Sequence, residues 1–143
     1  MLKNLDPILN PELLSVLAAM GHGDELAIVD ANFPAAAMAR RLVRMDGLKA
    51  SRVLEAVLSV LPLDDYVESP VAVMQTPGQQ ESIPEPVREF QQTVNTAESK
   101  NVEISAIGRF DFYDRCRAAF AIVITGETRL YGNVLVTKGV IHP

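Results

Sequence analysis

Gly21-His22-Gly23-Asp24-Glu25 places an imidazole between two glycines, after one apolar-periodic stretch and before a continuous apolar run. Two glycines let a backbone turn sharply and leave the ring exposed on a loop. An unperturbed imidazole titrates near pH 6.5, so it can give or take a proton at neutral pH. The chemistry within reach is general acid–base catalysis; a surface histidine without a role is the plain alternative. Gly21-x-Gly23 is not a dinucleotide fingerprint. That motif follows a strand, opens a helix and carries a third glycine, and here the order is reversed and the third glycine is missing.

Asp30 closes the apolar run Leu26-Ala27-Ile28-Val29. In open α/β sheets ligands gather at the carboxyl ends of strands, so this carboxylate could accept hydroxyls or orient His22. Aspartate is equally common as a turn or cap residue. A metal held by His22, Asp24 and Asp30 is disfavoured, because the only other histidine is His142 and no spaced His/Cys set exists. Arg109 and Tyr113 are four residues apart and share a face if the segment is helical, and together they could bind several hydroxyls. The competing reading puts Phe110, Phe112 and Tyr113 in the core and Arg109 in solvent. Tyr131-Gly132-Asn133 combines donors, acceptors and a close-approach glycine at a turn, a pattern that also arises for geometric reasons alone. Cys116 has no histidine near it in sequence and reads as a small core residue.

The elements that must position these groups alternate. Asn10 is a fitting N-cap and Pro11 a first helical residue, with Leu13, Leu17 and Met20 on one face and Gly21 as the stop. Strands are predicted at Leu26–Val29, Leu42-Val43, Val71–Met74, Val102–Ile107, Phe120–Ile124 and Asn133–Val136. Helices are predicted over Val53–Leu61, ended by Pro62, over Val87–Ala97 behind a Ser82/Glu85 capping box, and over Arg109–Ala118. Gln75 to Pro86 is the loosest loop. This alternation predicts a three-layer α/β/α domain, residues 1–143, around a mostly parallel but mixed sheet. The last two strands lie too close in sequence for a helical crossover, so they need an antiparallel pairing or an extended link.

Composition bounds the rest. The 143 residues suit one domain with one core. A net charge of −5 without a Lys/Arg cluster argues against nucleic acid. The longest apolar runs are too short to span a bilayer, and the first residues lack the apolar core of a secretory signal. One cysteine excludes an internal disulfide, and a cytoplasmic protein is the simplest expectation.

Taken together, the motifs resemble those of the ribose pyranase/fucose mutarotase family, from end to end and in order. They are Pro11-Glu12-Leu13-Leu14, Met20-Gly21-His22-Gly23-Asp24-Glu25, Asp30-Ala31-Asn32-Phe33-Pro34, Asp46-Gly47-Leu48 and Leu61-Pro62-Leu63-Asp64. Phe112-Tyr113-x-Arg115, Ala119-Phe120-Ala121, Thr125-Gly126-Glu127, Tyr131-Gly132-Asn133 and Lys138-Gly139 follow. Arg109 and Gly132 place the resemblance nearest the fucose branch, because ribose-type members carry a histidine and an alanine there. Met45, where relatives often have a smaller residue, departs from the pattern.

The resemblance implies a cofactor-free isomerase that interconverts the α and β anomers of L-fucose. It implies that His22 is the catalytic proton donor and that Asp30, Arg109, Tyr131, Gly132 and Asn133 hold the sugar, with Asp64 and Tyr113 in or near the pocket. In such a reaction an acid protonates the ring oxygen while a base takes the anomeric proton; Tyr131, Asp30 or water could be that base. The alternative enzyme reading is a pyranase that interconverts pyranose and furanose forms of ribose or a related sugar. A non-catalytic sugar binder is the reading from another class. The resemblance further implies a homo-oligomer, often a decamer, with sites near subunit contacts.

Overall fold

The computed structural model describes residues 1–78 and 82–143. Its first helix, α1 (Pro11–Ala19), starts as its sequence dictates: the Asn10 Oδ1 accepts the Leu13 N–H at 2.8 Å, and Pro11 takes the first helical position. The apolar run becomes β1 (Glu25–Val29), in which every residue after Glu25 is buried. A short helix, α2 (Ala35–Met38), follows Pro34 and precedes β2 (Leu42–Met45). α2 is not legible in the sequence, since four residues are too few for a helical period to register.

Next come α3 (Ala50–Leu58), β3 (Val71–Met74), α4 (Glu85–Glu98) and β4 (Ile104–Ile107). The chain closes with α5 (Arg109–Ala118), β5 (Ala121–Thr125) and β6 (Val134–Thr137). Two expectations need correction or limit. No side chain caps α4: Pro84 is its N-cap, and Glu85 pairs with Arg129 at 3.1 Å instead of forming a capping box with Ser82. Part of the loop expected between Gln75 and Pro86, residues 79–81, lies outside the described residues.

The six strands form one sheet in the order β2-β5-β1-β6-β3-β4. β1, β2 and β5 run parallel, as do β3 and β4, and β6 is antiparallel to both β1 and β3. The expected mixed, mostly parallel sheet is therefore present, with β6 the one reversed strand. β6 does not pair with β5. An extended link carries the chain over the end of β1, where the Ala31 N–H donates to the Glu127 carbonyl oxygen at 2.9 Å. Eight residues suffice because skipping one strand means crossing only about 10 Å.

Strand pleating sends alternate side chains to two cores. Leu26, Ile28, Val43, Val123, Val134 and Val136 pack against α1, α3 and α4. Ala27, Val29, Ile122 and Leu135 pack with Phe33, Phe112 and Cys116 against α2 and α5. Helices on both faces explain why the strands read as continuous apolar runs instead of alternating ones. Phe112, fully buried, closes the second core edge-on against Phe33 with ring centroids 6.1 Å apart. Removing its ring would cost about 3–5 kcal/mol.

Candidate active site

Chemistry-bearing side chains collect at both edges of the sheet. At the edge where the parallel strands end, β1 delivers Asp30, β4 leads into Gly108 and Arg109, and the link into β6 delivers Tyr131, Gly132 and Asn133. Asp30 and Asn133 are both buried and lock together. The Asp30 N–H donates to Asn133 Oδ1 at 2.8 Å, and Asn133 Nδ2 donates to Asp30 Oδ2 at 2.9 Å. The other carboxylate oxygen, Oδ1, accepts the Asn32 N–H at 2.9 Å. Beside this pair Arg109 and Tyr131 line a hollow of about 590 Å³ together with Met74, Gln75, Thr76 and Phe110. Its size lies in the range of small-molecule sites. Arg109 makes no ion pair among the described residues, and its guanidinium sits 5.0 Å from the Phe110 ring centroid, available to hydroxyl groups.

Tyr131 has a φ of 62°, in the left-handed region. For a bulky side chain that conformation costs about 1–2 kcal/mol, so the surrounding contacts must impose it. Gly132 lets this happen. A Cβ there would lie 2.5 Å from Glu127 Cγ, so only glycine admits the close approach of the two segments.

The opposite edge carries the imidazole. His22 Nε2 lies 3.0 Å from Asp64 Oδ1; the His22 side chain is 46% exposed and that of Asp64 only 4%. The same Oδ1 accepts the Tyr66 N–H at 3.1 Å, and the Tyr66 ring lies 5.4 Å from the imidazole. Tyr66 also neighbours His142, whose Nε2 is 2.9 Å from Asp65 Oδ2. That contact holds the Asp65 carboxyl below the usual range. Donating Nε2–H to Asp64 would leave Nδ1 of His22 facing outward.

Lys138-Gly139 builds this edge. Lys138 Nζ donates to the carbonyl oxygens of Leu17 at 2.9 Å and Met20 at 2.6 Å, closing the exposed end of α1. The Gly23 N–H donates to the Lys138 carbonyl oxygen at 2.8 Å, which fastens the His22 loop to the end of β6. Gly139 packs directly on the Leu63 carbonyl and Asp64 Cα, so no side chain fits there.

Within one copy of the chain, Asp30 therefore does not orient His22. Asp30 is at the far end of β1, and Asp64 takes that place. Asn133 and Lys138 mark the two edges on β6, five residues apart, which separates them by roughly 17 Å. Tyr113 is half-buried, 5.5 Å from the Phe33 ring, and is not among the residues lining the hollow. Cys116 is buried, and burial pushes its thiol up to about 12, so it is no nucleophile. Met45 is buried and its sulfur accepts from Asn10 Nδ2 at 3.2 Å. Among the described residues no group of three or more His, Cys, Asp or Glu could hold a metal ion, and no helix is long and apolar enough to cross a membrane.

Sequence reading missed Tyr66 and the Glu127–Arg129–Glu89 cluster. Tyr66 had a local signal, because Asp-x-Tyr is the spacing at which a carboxylate accepts the N–H two residues on. Arg129 had the same local signal toward Glu127, two residues back, but none toward Glu89, forty residues away.

The sequence matches the RbsD / FucU transport protein family over residues 3–141. The chain belongs to the RbsD/FucU family. Among its relatives, the fucose mutarotase of Homo sapiens is 47% identical over 146 residues, covering 98% of this chain and 94% of the human one. The L-fucose mutarotase of Actinobacillus pleuropneumoniae serotype 5b is 40% identical over 140 residues, covering 98% and 97%. The crystal structure of the fucose mutarotase from Streptococcus pneumoniae in complex with L-fucose matches with a TM-score of 0.91 at 38% identity, covering 99% of this chain and 100% of that one. In this RbsD/FucU chain the motifs fall into two sets. The histidine loop, Leu61-Pro62-Leu63-Asp64 and Lys138-Gly139 build one edge of the sheet. Asp30-Ala31-Asn32-Phe33-Pro34, Thr125-Gly126-Glu127 and Tyr131-Gly132-Asn133 build the other.

Proposed function

We propose that this protein is an L-fucose mutarotase that opens and recloses the pyranose ring by general acid–base catalysis. The observation that carries the reading is the imidazole of His22, exposed on one side and held on the other by the buried carboxylate of Asp64. His22, carrying a proton on both ring nitrogens with Nε2–H on Asp64, gives its Nδ1 proton to the ring oxygen as the bond from that oxygen to the anomeric carbon breaks. A base takes the anomeric hydroxyl proton, and the open-chain aldehyde forms. Rotation about the bond next to the aldehyde presents the other carbonyl face, and both transfers reverse on closure. Only protons and the C–O bond pair move, and the anomeric carbon keeps its oxidation level, so the step needs no redox partner. In this reading Asp30, Arg109, Tyr131, Gly132 and Asn133 hold the hydroxyls; Arg109 and Tyr131 line the hollow, and the Phe110 ring there offers an apolar wall to the C6 methyl group of fucose.

The two edges lie too far apart for one copy to bring His22 to a sugar bound near Tyr131. The site is therefore completed by a second copy, whose His22 edge meets the Tyr131 edge of the first. Both edges carry exposed apolar side chains fit for such a contact: Tyr66, Val67 and Ile141 on one, Phe110 and Leu130 on the other. Joining unlike patches is a head-to-tail contact, and such contacts form a ring where the rotation from copy to copy closes. This reading extends to a homo-oligomer, a decamer in its fullest form, built from residues 1–143 as one domain in the cytoplasm.

Exchange spectroscopy by NMR on L-fucose tests the chemistry. His22→Ala should slow anomer exchange by about 10²–10⁴-fold; unchanged exchange removes His22 from the mechanism. Saturable fucose binding without faster exchange in the wild type would leave a binding protein instead. Mixing His22→Ala with Arg109→Ala subunits tests the shared site. Random reassembly should restore about one quarter of the wild-type rate, whereas a site within one copy recovers nothing.

A further inference from the structure

Tyr131 sits in a backbone conformation that its own side chain disfavours, at φ 62°. Something must hold it there. Downstream the holder is the Asn133–Asp30 pair already described. Upstream it is a cluster to which the proposed reaction assigns no role. Arg129 Nε donates to Glu127 Oε1 at 2.8 Å and Nη2 to Glu127 Oε2 at 2.8 Å, while the Arg129 N–H also reaches Oε1 at 3.0 Å. The far side of the same guanidinium meets Glu89, with Nη1 2.7 Å from Oε1 and Nη2 2.9 Å from Oε2. Ser51 Oγ donates to Glu89 Oε2 at 2.7 Å. One arginine thus joins the β5–β6 link to α4 and to the start of α3 through two bidentate pairs, the geometry that fixes orientation best.

Glu127 is the part that touches the turn. It is 2% exposed, and its Cγ fills the space against Gly132 in which a side chain would stand. Its backbone is pinned as well, since the Glu127 N–H donates to Thr125 Oγ1 at 3.2 Å and Thr125 Oγ1 donates to the Val29 carbonyl oxygen at 2.8 Å. The turn therefore hangs between two fixed points, the Glu127–Arg129 clamp and the Asn133–Asp30 pair. Leu130, between them, is 70% exposed.

We infer that Arg129, Glu127 and Glu89 are positioning residues for the sugar site, holding Tyr131 in its left-handed conformation so that its side chain faces the hollow beside Arg109. None of the three lines that hollow. They act through Tyr131, and a purely structural clamp would change stability without changing how sugar binds. The inference rests on the reading of the Tyr131 edge as the sugar-holding edge.

Arg129→Gln, Arg129→Lys and Glu89→Gln separate the two roles, each checked for native circular dichroism and assembly size. The readouts are fucose affinity by calorimetry, KM and kcat by NMR exchange, and hydrogen exchange of the Tyr131 and Gly132 amides. Arg129→Gln should weaken fucose binding and raise KM about tenfold, Glu89→Gln about threefold, with kcat changed less than KM. Arg129→Lys, which keeps the charge and loses the fork, should fall between wild type and Arg129→Gln. Amide protection should drop at the turn while the ring ¹⁵N signals of His22 stay in place. Unchanged affinity with unchanged amide protection in a folded variant overturns the inference, and so does a loss of kcat at constant KM. Should Arg129→Gln fail to fold, Glu89→Gln leaves the Glu127–Arg129 pair intact and decides alone on the same readouts. If His22→Ala keeps full activity, the catalytic reading falls, yet affinity and amide protection still judge this inference separately.

Discussion

His22 Nε2 and Asp64 Oδ1 are 3.0 Å apart, and the aspartate is the buried member. A buried carboxylate on one ring nitrogen selects the tautomer and points the other nitrogen outward. In Asp64→Asn the amide can rotate to offer either its oxygen or its NH2, so the ring loses a fixed tautomer. Anomer exchange should slow about 10–100-fold while fucose affinity stays near that of wild type. The ¹⁵N shifts of the ring should move from one tautomer toward a mixture. Wild-type exchange in Asp64→Asn would remove the aspartate from the catalytic apparatus.

Gly139 sets where that aspartate stands. A methyl group there would overlap the Leu63 carbonyl and lie 2.7 Å from Asp64 Cα. Both contacts are backbone, which cannot swing aside as a flexible side chain would. Gly139→Ala should destabilise by about 1–3 kcal/mol in urea unfolding. It should also lower exchange by displacing Asp64 from His22, although residue 139 touches neither partner's side chain. A variant with reduced stability and undiminished turnover would show that Asp64 tolerates the shift.

Asn133 matches Asp30 because one partner brings a donor and the other an acceptor. Asn133→Asp sets two buried carboxylates against each other at the 2.9 Å contact now made by Nδ2. Like charges that close cannot both ionise, so one oxygen must keep a proton. The expected cost is about 2–4 kcal/mol at neutral pH, shrinking as pH falls and the shared proton binds. Thermal melts of variant and wild type at pH 7 and pH 5 should converge toward the lower pH. A constant gap would mean that the pair is opened to water.

Much of this architecture is legible in the sequence because the strands carry uninterrupted apolar runs and the helices carry caps and periodic faces. Pro11 and Asn10 mark the start of α1, and Arg109–Ala118 is helical over the predicted span. What cannot be read is pairing. Nothing local tells β6 to insert between β1 and β3, because that choice is made by the fit of Leu135 and Val134 with residues more than sixty positions away. The partner of His22 is hidden for the same reason: Asp30 is nearer in sequence, yet a strand of five residues carries it to the other edge. The resemblance supplies the candidate residues, whereas their division between two edges emerges only from the sheet.

Glu89 and Glu127 link the Tyr131 turn to acid stability. Hydrogen bonds from Arg129, followed by one from Ser51, bring the Glu89 carboxyl down from 4.5 to about 2. Arg129 likewise lowers Glu127. A carboxylate with a lowered folded-state pKa stabilises above its unfolded value, and that contribution disappears as pH falls through the folded one. The window for Glu89 runs from about pH 4.5 down to about pH 2. At 30% side-chain exposure, solvent screening brings its contribution at neutral pH nearer about 1 kcal/mol than the full shift of about 3. Wild type should therefore lose urea stability steadily across that window. Glu89→Gln, which cannot titrate, should start lower at pH 7 and show a shallower slope, so that the two curves meet near pH 2. Parallel curves would mean that the carboxylate is equally free in the folded and unfolded chains.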